Sequence, residues 1–305
     1  MNLFAVIVTY NPKRWIDKCL GSLGKSSSAL KIIVIDNNSN DGSQDYIREK
    51  YPEINLIQST ENLGFGRANN IGITIAYQAN ADYVFLLNQD VWIEPDTIEK
   101  LINAHQKELE FGILSPMHLN GKGDALDYNF SNFINPSKCQ NIYSDVFLNM
   151  VKDKIYEVEF VNAAAWLLSK KCIETIGGFN PSFFHYAEDD NYVQRLKYHN
   201  LKIGVVPNTV IYHDRDTREK NIFFEDLKII YRRKVIFKVS NPFYEYSFYD
   251  EYKKLFRIII KSIFSLNIKQ IKESCLKIMI LKGLNKTLVI MNKSESKKSQ
   301  TSFLN

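Results

Sequence analysis

Histidine and cysteine are scarce in this chain of 305 residues, at five and four. Cys19, Cys139, Cys172 and Cys275 lie far apart, with no Cys-x-x-Cys pair and no histidine cluster beside them. That spacing excludes a zinc ribbon and a disulfide framework, and each cysteine is expected to be a small buried hydrophobe. No apolar run approaches the roughly 18–20 residues that cross a bilayer. The N-terminus, MNLFAVIVTYNP, lacks the basic lead and small-residue cleavage site of a secretory signal, so the expectation is a chain that stays in the cytoplasm. What is present is ordinary: 45% hydrophobic and 24% charged residues exclude wholesale disorder, and the length suits one large domain with an appendage.

Charge is unevenly placed. The net charge is +5, yet residues 1–215 sum to −5 and residues 216–305 to +10. A basic C-terminal third on an acidic body should seek an anionic surface, either nucleic acid or a membrane face. Its aromatics, Tyr244, Tyr246, Phe248 and Tyr249, precede the most basic stretch instead of interleaving with it, which argues against nucleic acid.

Strands and helices alternate through the first half. Leu3–Thr9, Lys31–Asp36, Ile54–Gln58 and Asp82–Leu87 read as buried strands, with helices over 12–23, 65–79 and 95–109 and a short strand at Gly112–Ser115. Such alternation predicts an α/β fold with a central, mainly parallel sheet flanked by helices and ligands at the carboxyl ends of its strands. Thr9-Tyr10-Asn11, Asp36-Asn37-Asn38 and Asn88-Gln89-Asp90 all fall at such ends. Residues 117–155 have no period and are expected to be a long, partly irregular segment at the mouth of the crevice. Further on come an apolar run at 158–169, helices over 170–176 and 189–199, and two short strands, 202–206 and 209–213. From Phe223 to Lys286 the pattern turns helical, with lysines and arginines between apolar positions. These basic amphipathic helices could lie on a membrane surface, pack on the main domain or form a homodimer. Lys293–Asn305, rich in Ser and Lys, reads as a disordered tail.

Several clusters could carry chemistry. Asp90, with the amide of Asn88 two residues earlier, could hold a hard divalent cation through oxygen, though an aspartate after a strand also caps turns. Glu188-Asp189-Asp190 places three carboxylates in a row, costly unless a metal, an arginine such as Arg195, or a reaction needs them. One could serve as a general base, or all could complement a helix dipole. His213 could offer a nitrogen to the same cation or be a satisfied core histidine. Gly64, Gly66 and Arg67 sit at a strand-to-helix junction that resembles a phosphate approach without the dinucleotide fingerprint.

In chain order VIVTYNP, IIVIDNNSNDGS, ENLGFGRANNIGI, DYVFLLNQDVWIEPDTIEKL, a Gly-Gly-Phe element and AEDDNYVQRLK resemble the family 2 inverting glycosyltransferases of the GT-A fold. The likeness is to the rhamnosyltransferase-like branch that builds bacterial surface polysaccharides, and it runs from Asn2 to Asp214. It implies a catalytic domain over 1–215, beyond which the residue pattern gives a helical region over 216–292. It also implies that Thr9, Tyr10, Asn11, Asn38 and Arg67 lie against the nucleotide and that Asp36 reads its pyrimidine. Asn88-Gln89-Asp90 matches the Asp-x-Asp metal motif, with Asp90 and His213 as ligands of Mg2+ or Mn2+. Asp189 matches the base that activates the acceptor hydroxyl, positioned by Glu188. The implied donor is a nucleoside-diphosphate sugar, first dTDP-rhamnose, then UDP-galactofuranose or UDP-glucose. The implied acceptor is a polyprenyl-diphosphate-linked glycan of O-antigen or capsule synthesis at the inner face of the plasma membrane. Two departures stand out: Asn88 replaces the first acid of the metal motif, and Asn191 the last acid of Glu-Asp-x-Asp. The first also admits a non-catalytic nucleotide-sugar binding protein.

Overall fold

The computed structural model describes residues 1–151, 154–215 and 225–304. The expected helical onset at Phe223 and Phe224, and the division at 215/216, border or fall outside the described residues. The core is a sheet of nine strands. Strands β1 (Leu3–Thr9), β2 (Lys31–Asp36), β3 (Asn55–Gln58) and β4 (Tyr83–Asn88) are all parallel, in the order β3-β2-β1-β4. Beyond β4 lie β8 (Ala165–Ser169), β6 (Phe111–Asn120), β9 (Lys202–His213) and, at the edge, β5 (Val91–Ile93). Strand β8 runs antiparallel to β4 and β6, β9 is parallel to β6, and β5 and β7 (Tyr156–Glu157) pair antiparallel with β9.

Alternation along β1 explains why the sheet needs helices on both faces. Phe4 and Val6 point into a core shared with α3 (Phe65–Gln78), α7 (Lys170–Ile176) and α8 (Glu188–Tyr198). Leu3, Ala5 and Ile7 point into the opposite core, made with α1 (Ile16–Leu23), α2 (Ser43–Lys50) and α4 (Thr97–Lys107). Helix α3 lies close to β1 because residue 72 is glycine, where a β-carbon would press on the Val6 side chain.

Several expectations are corrected. The segment 117–155 is more regular than its composition suggests: β6 extends to Asn120, and α5 (Tyr128–Phe133) and α6 (Ile142–Phe147) follow. The two strands expected around Pro207 form one, β9, because a register shift opposite Pro116 and Met117 absorbs Pro207, Asn208 and Thr209. Helix α1 starts at Ile16 after a turn in which Trp15 N donates to Pro12 O. Cys19, Cys139 and Cys172 are buried, but Cys275 is exposed.

The C-terminal region is helical as expected: α9 (Leu227–Ser240), α10 (Phe248–Phe264), α11 (Ile268–Lys282) and α12 (Lys286–Ser296). Each begins with a side-chain cap, from Asp226, Ser247, Asn267 and Asn285 in turn. Their own small core gathers Val235, Ile236, Leu255, Leu281 and Val289 around Phe183 of the main domain. The tail expected to be disordered is instead folded back. Gln300 N donates to Thr175 O at 3.1 Å, Gly178 N donates to Ser302 O at 2.8 Å, and Phe303 lies under the Arg195 guanidinium. Its polar composition misled because the strap is held by backbone bonds.

Gly177 lies where the strap docks, with φ of 74°, and a β-carbon there would run into the Ser302 backbone. Gly177→Ala should therefore cost about 1–3 kcal/mol in urea unfolding and open residues 297–304 to proteolysis. Wild-type stability and protection would show that the strap is not held there.

Candidate active site

Register builds the crevice. Thr9 pairs with Asp36 and Val8 with Asn88, so the ends of β1, β2 and β4 open on one edge. The Asp36 carboxylate is buried and saturated: it accepts from Thr9 Oγ1 (3.3 Å), Ser39 N (3.1 Å) and Gln44 Nε2 (2.9 Å). It thereby fixes the turn that holds Asn38, which is exposed and left-handed at φ 67°. Asn11, also left-handed, receives Ser39 Oγ on its N–H and binds Asn40 N through its side chain. Tyr10 and Gln89 exchange two hydrogen bonds, Tyr10 N to Gln89 Oε1 at 2.7 Å and Gln89 Nε2 to Tyr10 O at 3.1 Å. These two loops thus form one wall, with the Tyr10 ring exposed beside it.

Asp90 lies two residues past the end of β4 and is buried. Pairing of Val91 with His213 across β5 and β9 brings its Oδ1 to 3.5 Å from His213 Nε2. Two residues that sequence reading missed complete this corner. Asp127, the N-cap of α5, has Oδ2 3.7 Å from His213 Nδ1, and Arg215 Nε lies 2.9 Å from Asp127 Oδ2 and 3.2 Å from His213 Nδ1. With Nδ1 accepting from Arg215, the ring proton of neutral His213 sits on Nε2, toward Asp90. Asp127 Oδ2, at 3.7 Å, is beyond hydrogen-bond reach of Nδ1; a closer approach would let Nδ1 donate to it and release the Nε2 lone pair, the carboxylate–histidine arrangement that supports a metal ligand. Among the described residues no three His, Cys, Asp or Glu side chains converge on a metal position. A carboxylate and an imidazole suit Mg2+ or Mn2+ only if a diphosphate and water supply the remaining ligands. Asn88 is half-buried on the same edge.

The opposite wall is the start of α8, which Tyr186 and Ala187 enter through two left-handed residues, φ 67° and 70°. Asn88 N donates to Ala164 O at 2.9 Å, and one residue earlier Ala163 N donates to Asp189 Oδ2 at 3.4 Å. The acidic run and the Asp90 corner are therefore joined through one short segment of backbone. Burial raises the Asp189 carboxyl above its ordinary range, partly offset by hydrogen bonds from Asp190 N and Ala163 N and by Arg215. Burial, then Asp189, pushes Asp190 up to about 7, with Arg233 of α9 opposing. Arg233 also lies over the Tyr186 ring, so the C-terminal helices reach the acidic wall.

Two candidates sit elsewhere. Arg67 is 3.8 Å from Glu61 and lines a cavity of about 450 Å³ with Pro181, Asn292 and Phe303, which none of the other expected site residues line. Arg195 pairs with no acid of the run: it is buried and donates to the carbonyls of Gly178 (2.6 Å) and Ile176.

Residues 4–155 match the model of glycosyl transferase family 2. A low-salt glycan biosynthesis hexosyltransferase of Haloferax volcanii is 25% identical over 208 residues, covering 67% of this chain and 64% of its own length. The N-acetylglucosaminyl-diphospho-decaprenol L-rhamnosyltransferase of Mycobacterium tuberculosis is 24% identical over 69% of this chain and 75% of its own. Among solved structures, a mannosyltransferase of Pyrobaculum calidifontis, in complex with GDP-Man and Mn2+, superposes with a TM-score of 0.55. It shares 15% identity and the match covers 97% of this chain and 73% of that one. With the motifs in order at the strand ends of such a sheet, the chain belongs to the family 2 glycosyltransferases of the GT-A fold, with rhamnosyltransferases among its relatives.

Proposed function

We propose that this chain transfers a sugar, first rhamnose from dTDP-rhamnose, to a hydroxyl of a lipid-linked glycan, with inversion at the anomeric carbon. The pathway is cell-surface polysaccharide synthesis, O-antigen or capsule, at the inner membrane face. The observation that supports the reading is the connection from Asn88 N to Ala164 O and from the adjacent Ala163 N to the Asp189 carboxylate, which links the chain next to Asp90 with the acidic run. The mycobacterial relative's name supports the choice of sugar and acceptor.

The wall formed by Thr9, Tyr10, Asn11, Asp36, Asn38 and Gln89 receives the nucleotide; Asp36 acts there by shaping the turn. Asp90 and His213 would hold Mg2+ or Mn2+, whose charge on the diphosphate improves it as a leaving group. Asp127 and Arg215 keep His213 in place. Asp189 takes the proton from the acceptor hydroxyl as its oxygen bonds to the anomeric carbon, and the electron pair of the breaking C–O bond departs with the nucleoside diphosphate. Burial raises the Asp189 carboxyl, which makes it a stronger base than an ordinary aspartate.

Glu188 is not a rival base. It is buried, and its Oε2 has no hydrogen-bond partner. An ionised carboxylate so placed would be costly, so burial and then the neighbouring Asp189 push Glu188 up to about 8. Glu188 therefore carries its proton at neutral pH and positions Asp189 as a neutral neighbour.

Asp189→Asn should lower turnover with dTDP-rhamnose by about 10²–10⁴ while leaving dTDP binding in place, read by initial rates and calorimetry. Near-normal turnover would remove Asp189 as the base, and turnover only with UDP-galactofuranose or UDP-glucose would replace the donor. A chain that binds nucleotide sugar but neither transfers nor hydrolyses it would be a binding protein.

A second prediction concerns stability. Folded Glu188 holds its proton to about pH 8, whereas the ordinary glutamate value is 4.5, so rising pH across that window removes stability. Glu188→Gln should melt higher than wild type at pH 8, with the difference shrinking toward pH 5. An equal gap at both ends would mean that Glu188 is ionised throughout.

A further inference from the structure

The C-terminal helices carry a surface that the transfer chemistry does not use. Helices α10 and α11 pack on each other across the connection at residues 265–267, and their amphipathicity is partly inverted. Phe248, Glu251, Leu255, Ser262, Ser274 and Leu281 are the buried side chains along the pair, only three of them apolar, and Ser262 Oγ donates to Gln270 Oε1 at 2.8 Å. Large apolar side chains face outward: Phe256, Ile260, Ile263, Phe264, Leu266 and Ile268. At the tip the exposure is extreme, 87% for Phe264, 86% for Leu266 and 65% for Ile268. In water this arrangement forfeits the hydrophobic contribution that ordinarily stabilises a helical hairpin.

The tip is built, not frayed. Leu266 takes a left-handed φ of 54°, unusual for a leucine, and its N–H donates to Ile263 O at 3.1 Å. Asn267 N donates to Ser262 O at 2.8 Å, and the Asn267 side chain caps α11 by accepting from Gln270 N. Around the tip the charge is of one sign. Residues 252–286 contain nine Lys and Arg and a single acid, Glu273. Lys253, Lys254, Arg257, Lys261, Lys269 and Lys272 are all exposed. No helix among the described residues is long and apolar enough to cross a membrane.

We propose that the hairpin tip, residues 263–268, inserts into the interface of an anionic lipid bilayer, with Arg257, Lys261, Lys269 and Lys272 at the lipid phosphates. Apolar side chains within a cationic collar match a layer whose surface is anionic and whose interior is hydrocarbon. A second copy of the chain fits poorly, because a symmetric contact would set one cationic collar against another. A nucleic acid would satisfy the lysines but has no hydrocarbon interior for Ile263, Leu266 and Ile268. The surface is read from exposed side chains alone and stands apart from the transfer reaction, so vesicle binding tests it whatever sugar the chain moves.

The test is co-sedimentation of the full chain with vesicles of phosphatidylcholine, with and without phosphatidylglycerol. Wild type should bind the anionic vesicles, lose that binding as salt rises, and bind phosphatidylcholine weakly. The exposed-site variant Phe264→Ser/Leu266→Ser/Ile268→Ser should keep the wild-type melting temperature and bind about tenfold more weakly. Lys261→Gln/Lys269→Gln/Lys272→Gln, a second route should the first variant fold poorly, should flatten the salt dependence. Wild-type binding by both variants would overturn the proposal. So would absence of vesicle binding alongside a concentration-dependent dimer in sedimentation velocity that the serine variant dissolves.

Discussion

The hydrogen bond from Asn88 N to Ala164 O is the tie on which the arrangement of the site depends. It continues the antiparallel pairing of β4 with β8 one step past the last paired residues, Leu87 and Ala165. On one side of it the chain runs into Asp90; on the other, Ala163 receives Asp189. The first bond is backbone to backbone and the second runs from a backbone N–H to the short Asp189 side chain, so no long side chain lies in the connection. Substrates would then vary the loops around a fixed pair of walls.

Electrostatics divides the crevice in two. In the Asp90 corner His213 lies between Asp90 and Asp127, and Arg215 pairs with Asp127, so one of the two carboxylates has a cation at 2.9 Å. On the other side Glu188 Oε2 has no hydrogen-bond partner among the described residues, and burial pushes Glu188 and Asp189 toward protonation. On the proposed reading the first corner suits a cation that carries a diphosphate and the second a hydroxyl about to lose a proton.

Strand ends were the most legible part of the sequence. Buried parallel strands read as unbroken apolar runs, and Thr9, Asp36 and Asn88 each stop one, so the crevice followed from pattern alone. Asp127 and Arg215 were not legible: each lies in a stretch with loop composition, and no local signal announces a partner 86 or 88 positions away. Strand β5 has three residues, too few to show alternation. The supposed pairing of Arg195 with the acidic run failed on helix geometry, since six positions from Asp189 is roughly 240° around the axis. The docked strap was hidden for another reason: backbone bonds of Gln300 and Ser302 leave no trace in composition.

Arg195 has a cover made from the far end of the chain. Its guanidinium rests on the carbonyls of Ile176 and Gly178 on one side and on the Phe303 ring on the other. Without the Phe303 ring, the buried Arg195 beneath α8 would face water on one side. The strap follows the sheet and both helical layers in chain order, so the underside of α8 is covered only after those layers have been made.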